Sequence, residues 1–283
     1  MTGLLLLSDA TATAPTLDWW QVAIAALLLA VNGLISWWLR LKLERKILVG
    51  AVRLCVQLGL LGLILHQIFS LTHLLPVLAL ASAMTVIAGV SAVGRVTDRF
   101  RGIYPTAIFS VWASSWLITA ITVLLIVRPQ PWFSPAVLIP LLGMVLGNSL
   151  TGISLGMDRF LSELNHRRDE IEMRLALGAD RYEATQAVMA HATGASMIPI
   201  LNTMSVAGIV SIPGMMTGQL LAGAPPLQAV AYQITIMFVI ASTIALGVIT
   251  ALSLTVRRLT TPWHQIDWHA RQSAKSPRRR SRS

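Results

Sequence analysis

The sequence predicts an all-α polytopic membrane protein with about seven transmembrane helices, its N-terminus outside and its C-terminus in the cytoplasm. Three observations predict it. Of 283 residues, 55% are hydrophobic and only 12% are charged, against roughly 25% charged in a typical soluble domain. Several uncharged apolar runs reach the roughly 20 residues that cross a hydrocarbon core. Lysine and arginine fall almost wholly on alternate connections between those runs, as orientation in a membrane requires. The net charge of +10 therefore reads as membrane orientation rather than as a nucleic-acid groove.

The elements follow in chain order. Residues 1–17, which include the run "MTGLLLLSDATATA", lack a basic stretch and have only four consecutive leucines. They are read as a short exposed segment rather than a signal peptide. The first span lies between Trp19 and Trp20 at one end and Trp37 and Trp38 at the other. About 18 residues, roughly 27 Å of helix, separate these aromatic anchors. Further spans are expected at 47–69, 74–94, 105–127, 136–157, 195–222 and 228–256. Of the 22 basic residues, only Arg128 falls on the set of connections that includes the N-terminus. The other 21 lie at 40–46, Arg53, 95–101, 159–181 and from 257 onward. Residues 18–260 form the permease-like domain. Residues 261–283 read as a basic, low-complexity tail, expected to be disordered and attracted to anionic lipid.

Residues 158–192, on the basic side, form the longest connection. Leu161, Leu164, Ile171 and Leu175 trace one helical face. Glu163 with Arg167, and Glu170 with Arg174, are i,i+4 pairs in the favourable order. Gly178 is a helix stop, and Asp180 with Glu183 three residues on forms a capping box. The expected product is helix, tight turn, helix, presenting Leu175, Ala176 and Leu177 between charged flanks. Such a hairpin is either a solvated loop or a docking element for a cytoplasmic partner.

The stretch "GIVSIPGMMTGQLLAG" (208–223) places Pro213 and Gly214 inside an apolar run. Proline cannot donate to the carbonyl of Ile209, and a bare carbonyl is tolerated at membrane depth only against protein or water. Discontinuous helices of this kind build transport sites. The pathway candidates are Arg53, Gln57, Asn148, Asn202, Ser211, Pro213, Gly214, Met215, Met216 and Gln219. Arg53 either snorkels to the interface or lines a vestibule with Gln57. Asn148 serves helix–helix hydrogen bonding or the pathway. Thioethers suit Cu(I) better than iron, and adjacent helical residues point about 100° apart, so packing is the favoured role of Met215 and Met216. No metal site is expected. A polar interior without carboxylates suits a hydrated or chelated ion better than a bare one. The single cysteine, Cys55, forbids an intrachain disulfide and is expected to be a small buried hydrophobe. No Asp or Glu lies deep in a span, which weighs against a proton-coupled carrier.

Three stretches resemble the FetB-like iron-export permeases: "IPLLGMVLGNSL" (139–150), "RLALGADRYEA" (174–184) and "VSIPGMMTGQLLAGAPPLQAVAYQI" (210–234). "VRLCVQLGLLG" (52–62) is similar through Arg53 and Gln57, and the plant aluminium-tolerance permeases look similar too. The run from Glu172 to Ala179 looks like the loop by which permeases of ATP-binding-cassette (ABC) transporters fit into their ATPase. The resemblance therefore implies ATPase-coupling roles for Glu172, Leu175, Leu177, Gly178, Ala179 and Asp180. It also implies a homodimer in the inner (plasma) membrane that exports iron or another metal species. The chain has no Gly-Lys-Ser/Thr phosphate loop, so it has no catalytic residues and no cofactor of its own. ATP and Mg²⁺ would sit on a separate ATPase subunit. The competing readings are an ATPase-independent carrier or channel, a scaffold that docks a soluble protein, and an ABC permease for another cargo such as a nucleotide sugar.

Overall fold

Tryptophan pairs frame the first helix, α1 (Trp19–Trp38), and Asp18 starts it with a capping box to Gln21. The computed structural model describes residues 18–69 and 73–261 together with Trp263, Gln265, Ile266 and Trp268, without the side chains of Leu65 and His66. The segment expected at 1–17, and the tail beyond Trp268, lie outside the described residues. The rest of the chain runs α2 (Glu44–Phe69), α3 (Leu74–Gly94), α4 (Ile103–Ile121), α5 (Pro135–His166), α6 (Arg168–Ala176), α7 (Arg181–Val206), α8 (Gly214–Leu221) and α9 (Pro226–Leu259). A π-helical turn, Thr122–Val127, extends α4. Among the described residues there is no β-strand; two isolated bridges occur, Ala207 with Ser211 and Thr260 with Ile266. Among the described residues, six helices are long and apolar enough to cross a membrane: α1, α2, α3, α4 with its π turn, α5 and α9.

The chain divides into two compact units. In the first, α1 and α2 pack as an antiparallel pair, joined by an elbow in which Arg40 and Lys42 take positive φ of 54° and 58°. Ser36 braces the elbow by accepting from the Leu43 N–H at 3.0 Å. Its hydroxyl also donates to Glu44 at 3.3 Å. Ser36 is the single buried residue of α1, and the apolar window of α2 has none. Cys55, expected to be buried, is exposed on α2. The short α8 and the first turn of α9 complete this unit.

The second unit holds the core, built from α3, α4, α5, α7 and the rest of α9. Its interior is set by large apolar side chains, among them Val77, Val93, Val111, Val145, Ile153, Phe160 and Leu252, all essentially inaccessible. Small residues let the helices approach. A Cβ on Gly89 would lie 2.6 Å from the Ile108 backbone, one on Gly152 2.5 Å from Ile244, and one on Gly247 2.8 Å from both Ile153 and the Ser114 hydroxyl. This is the small-residue packing that membrane helices use in place of a hydrophobic driving force. Buried Ser110, Ser114, Thr243 and Thr255 each donate to the carbonyl four residues back in their own helix, which satisfies them without a partner helix.

Two expected spans differ. The span expected at 136–157 continues as α5 to His166, because no breaker follows Met157 and the face of Phe160, Leu161 and Leu164 is fully buried. The span expected at 195–222 is two pieces, α7 and α8, with residues 207–213 non-helical between them. The break is not a proline kink in a running helix. Gly208 takes φ +81°, and the N–H groups of Ile209, Val210 and Ser211 all converge on the Val206 carbonyl at 3.3, 2.9 and 3.2 Å. The Gly208 N–H donates to the Ser211 carbonyl at 2.8 Å. The chain has already turned on itself before Pro213, which stands immediately ahead of α8, where its missing N–H costs nothing.

Candidate functional site

The charged hairpin is built by three local devices. First, α5 stops at Arg167 (φ −105°, ψ 25°) and the chain restarts at once as α6. This breaks the expected i,i+4 pairing across the joint. Glu163 pairs instead with Arg159 at 2.8 Å and with His191 of α7. Arg167 reaches Glu170 at 3.1 Å, and Glu170 also holds Arg174 at 2.9 Å. Second, the α6 C-terminus closes as a Schellman turn. The Ala179 N–H donates to the Arg174 carbonyl and the Gly178 N–H to the Leu175 carbonyl, each at 3.1 Å. Gly178 takes φ +94°, a left-handed conformation that favours glycine. Third, Asp180 caps α7, accepting from the Tyr182 and Glu183 N–H groups at 2.7 and 2.8 Å, while Glu183 accepts from the Asp180 N–H at 2.8 Å.

What the hairpin presents follows from this geometry. Ile171 is the buried anchor of α6, 1% exposed, and Leu175 is half-buried. Leu177 at the turn is 81% exposed and Met173 is 59% exposed. Glu172 is exposed and bonded to Arg168 at 2.9 Å. Ala179 is half-buried and Asp180 exposed. The sequence Arg-Asp-Glu-Ile-Glu-Met-Arg is too charged to lie in hydrocarbon, so bare leucine and methionine here face an aqueous phase or a protein.

The same helix, α7, continues from this elbow to a second feature. A cleft of 220 Å³ opens between α5, α7 and α9, lined by Asn148, Thr151, Gly152, Ser196, Pro199, Ile200, Thr203, Met237, Ile240 and Ile244. Its polar groups share a habit. Asn148 Nδ2 donates to the Met144 carbonyl at 2.8 Å, Thr151 to Gly147 at 3.0 Å, Ser196 to Thr193 at 2.7 Å and Thr203 to Pro199 at 2.9 Å. A hydroxyl that spends its proton on its own helix keeps only lone pairs to offer. Thr151 already accepts from Arg95 at 3.1 Å. The cleft is thus rich in neutral oxygen acceptors and has no carboxylate. Pro199, inside α7, removes one rung of the helix ladder beside the cleft. Among the described residues, no three His, Cys, Asp or Glu side chains lie together as a metal cage.

The sequence candidates are thus dispersed. Asn148 lines the cleft. Asn202 is exposed on α7, while Ser211 and half-buried Pro213 sit in the non-helical break after it. Arg53 and Gln57 are exposed on α2, in the other unit, and Arg53 has no hydrogen bond or ion pair among the described residues. Gly214, Met215, Met216 and Gln219 lie on α8 in that same unit; both methionines are half-buried. The buried Oε1 of Gln219 has no partner among the described residues. Sequence reasoning missed Thr151, Ser196, Pro199 and Thr203. Their signal was spacing: Asn148 and Thr151 are i,i+3, and Ser196, Pro199, Ile200 and Thr203 follow i, i+3, i+4, i+7 on one face.

Comparison with known proteins places this architecture. The family model for UPF0014, described as an uncharacterised protein family, matches residues 19–260. The UPF0014 membrane protein slr1647 of Synechocystis is 37% identical over 88% of this chain and 96% of its own length. The probable iron export permease protein FetB of Escherichia coli is 30% identical over 87% of this chain and 93% of its own. The protein ALUMINUM SENSITIVE 3 of Arabidopsis thaliana is 30% identical over 87% of this chain and 88% of its own. No solved structure matches. With the family model spanning the helical domain from α1 to the end of α9, and relatives matching almost end to end, this chain belongs to the UPF0014 family of membrane proteins.

Proposed function

We propose that the chain is the permease subunit of an ABC transporter that exports iron or a related metal species. It would work as a homodimer in the inner (plasma) membrane, driven by separate cytoplasmic ATPase subunits. The observation that carries this reading is mechanical continuity. The exposed elbow at Leu177 and Gly178 runs through the Asp180 cap straight into α7, and a face of that same helix lines the cleft. From Arg181 to Ser196 is fifteen residues, about 22 Å of α-helix, and the Asp180 cap and the link from Glu163 to His191 hold its near end. A partner that grips the elbow would move the cleft wall without an intermediate joint. The missing rung at Pro199 gives α7 a place to bend where the cleft polar groups are.

The cargo chemistry follows from the lining. Lone pairs on Asn148, Ser196 and Thr203 suit a ligand that donates hydrogen bonds, such as the water shell of a metal cation. A bare transition-metal ion would want carboxylate, imidazole or thiolate, which the cleft does not offer. The name of the Escherichia coli relative, a probable iron export permease, supports the metal reading. No step of ATP hydrolysis is assigned to this chain.

The test is co-expression of the tagged chain with each stand-alone ABC ATPase of its own genome, one at a time. The reading expects one ATPase to co-purify stoichiometrically with the wild-type chain and to be lost from Leu177→Arg. Binding of that ATPase undiminished by Leu177→Arg contradicts the reading.

A further inference from the structure

The cleft between α5, α7 and α9 carries a charge at its rim. Arg95 is the C-cap of α3. Side chains on a helix lean toward its N-terminus, so this one runs back along the span instead of away from it. It reaches α5, where Nη1 donates to the Thr151 hydroxyl at 3.1 Å. Thr151 lines the cleft. Its own proton goes to the Gly147 carbonyl at 3.0 Å, which leaves its oxygen to accept and holds the guanidinium at the cleft wall.

No carboxylate neutralises this guanidinium. Among the described residues Arg95 forms no ion pair. Asp158 lies seven residues beyond Thr151, on the same face of α5, but accepts from the Thr97 N–H at 2.7 Å. The cleft lining contains no acid. Arg95 is exposed, and of its guanidinium nitrogens only Nη1 has an acceptor among the described residues. Nε and Nη2 remain as a planar pair of donors, the geometry that grips a carboxylate or phosphate with two parallel bonds.

The two halves of the site therefore select for different things. Lone pairs on Asn148, Ser196 and Thr203 favour donor groups. A held guanidinium favours an oxyanion and repels a cation across a low-dielectric cleft. A fully hydrated metal cation meets the first demand and fails the second. A metal bound by oxyanion ligands, with water or hydroxyl groups left on the complex, meets both.

We propose that Arg95 is a specificity-determining residue of the transport cleft, and that the cargo enters as a net-anionic metal chelate with oxyanion ligands, not as a hydrated cation. This rests on the functional reading above and narrows it: that reading concerns the metal, this one the charge of the complex that carries it.

The experiment uses proteoliposomes that hold the chain with its co-purifying ATPase and ATP. Fe²⁺, kept reduced throughout, is offered either hydrated or in excess citrate, which makes it a net-anionic complex. Wild type is expected to move the citrate complex at least about 10-fold faster, the scale on which a charged cleft enriches its counter-ion. Arg95→Gln keeps a donor for Thr151 but loses the charge. It is expected to raise KM for the citrate complex about 10-fold with kcat little changed, and to flatten the salt dependence of that KM. Arg95→Lys keeps the charge without the planar fork and is expected to fall between the two. A merely structural strap would be preserved by glutamine, and its loss would slow both probes alike. If wild type moves hydrated Fe²⁺ as fast as the citrate complex, the proposal is overturned while ATP-driven metal transport stands; this comparison needs no variant to fold. If wild type prefers the citrate complex and Arg95→Gln leaves that preference unchanged, Arg95 is not the determinant and the proposal is likewise overturned. If neither probe moves, the functional reading fails and this inference with it.

Discussion

Replacing Gly178 by alanine isolates one term of the elbow. The residue has φ +94°, and a Cβ built on it meets no atom within 4 Å. Packing therefore contributes nothing to the penalty, and what remains is the left-handed backbone. That conformation costs a side chain with Cβ about 1–2 kcal/mol, a factor of about 5–30 in the population of the closed turn. Asparagine tolerates the same region far better. Arg174 and Arg181 flank the turn, so trypsin reads its opening directly. With opening fast relative to cleavage, the rate follows the open population. The expected result is that Gly178→Ala raises cleavage at these two sites about 5- to 30-fold, while Gly178→Asn stays much closer to wild type. Equal rates for alanine and wild type, or asparagine as fast as alanine, would refute the assignment of the turn to glycine's conformational freedom.

Other perturbations probe different layers. Gly152→Ala puts a Cβ 2.5 Å from Ile244 and should cost about 1–3 kcal/mol through overpacking. Thermal melting in detergent should show the loss, and a second change, Ile244→Ala, should recover part of it because the two sites touch. Asp180→Ala removes the acceptor for two backbone N–H groups and should lower stability by about 1 kcal/mol, with Asp180→Ser close to wild type; denaturant titration of the α7 signal measures it. Thr203→Val keeps the shape of the cleft wall but deletes its oxygen. Metal efflux from cells should fall while the melting temperature barely moves, and unchanged efflux would count against the cleft as the pathway.

Much of the fold could be read from residue type. The tryptophan pairs mark the ends of α1, and α3 coincides with its expected span because His73 and Arg95 bound an unbroken apolar run. Gly178 and Asp180 with Glu183 carry turn and cap chemistry that depends on neighbours within six residues, so sequence suffices for the elbow. What was illegible depends on longer reach. Arg167 ends α5 although its flanks favour helix, which reassigns Glu163 to Arg159 and to His191, 28 residues away. Pro213 stands out as the breaker, yet the chain turns at Gly208 five residues earlier, where three N–H groups converge on the Val206 carbonyl. The cleft needed three helices to be brought together, and its threonines and serine look like ordinary helix-satisfied residues until they converge.

The account stands on energy entering through the elbow. Proteoliposomes holding the purified chain, loaded with iron, with and without the co-purifying ATPase and ATP, test it most directly. Iron movement is expected only when ATPase and ATP are both present, and is expected to vanish in Leu177→Arg although that variant folds and inserts. Iron movement by the chain alone, or ATP-driven movement undiminished by Leu177→Arg, would contradict it.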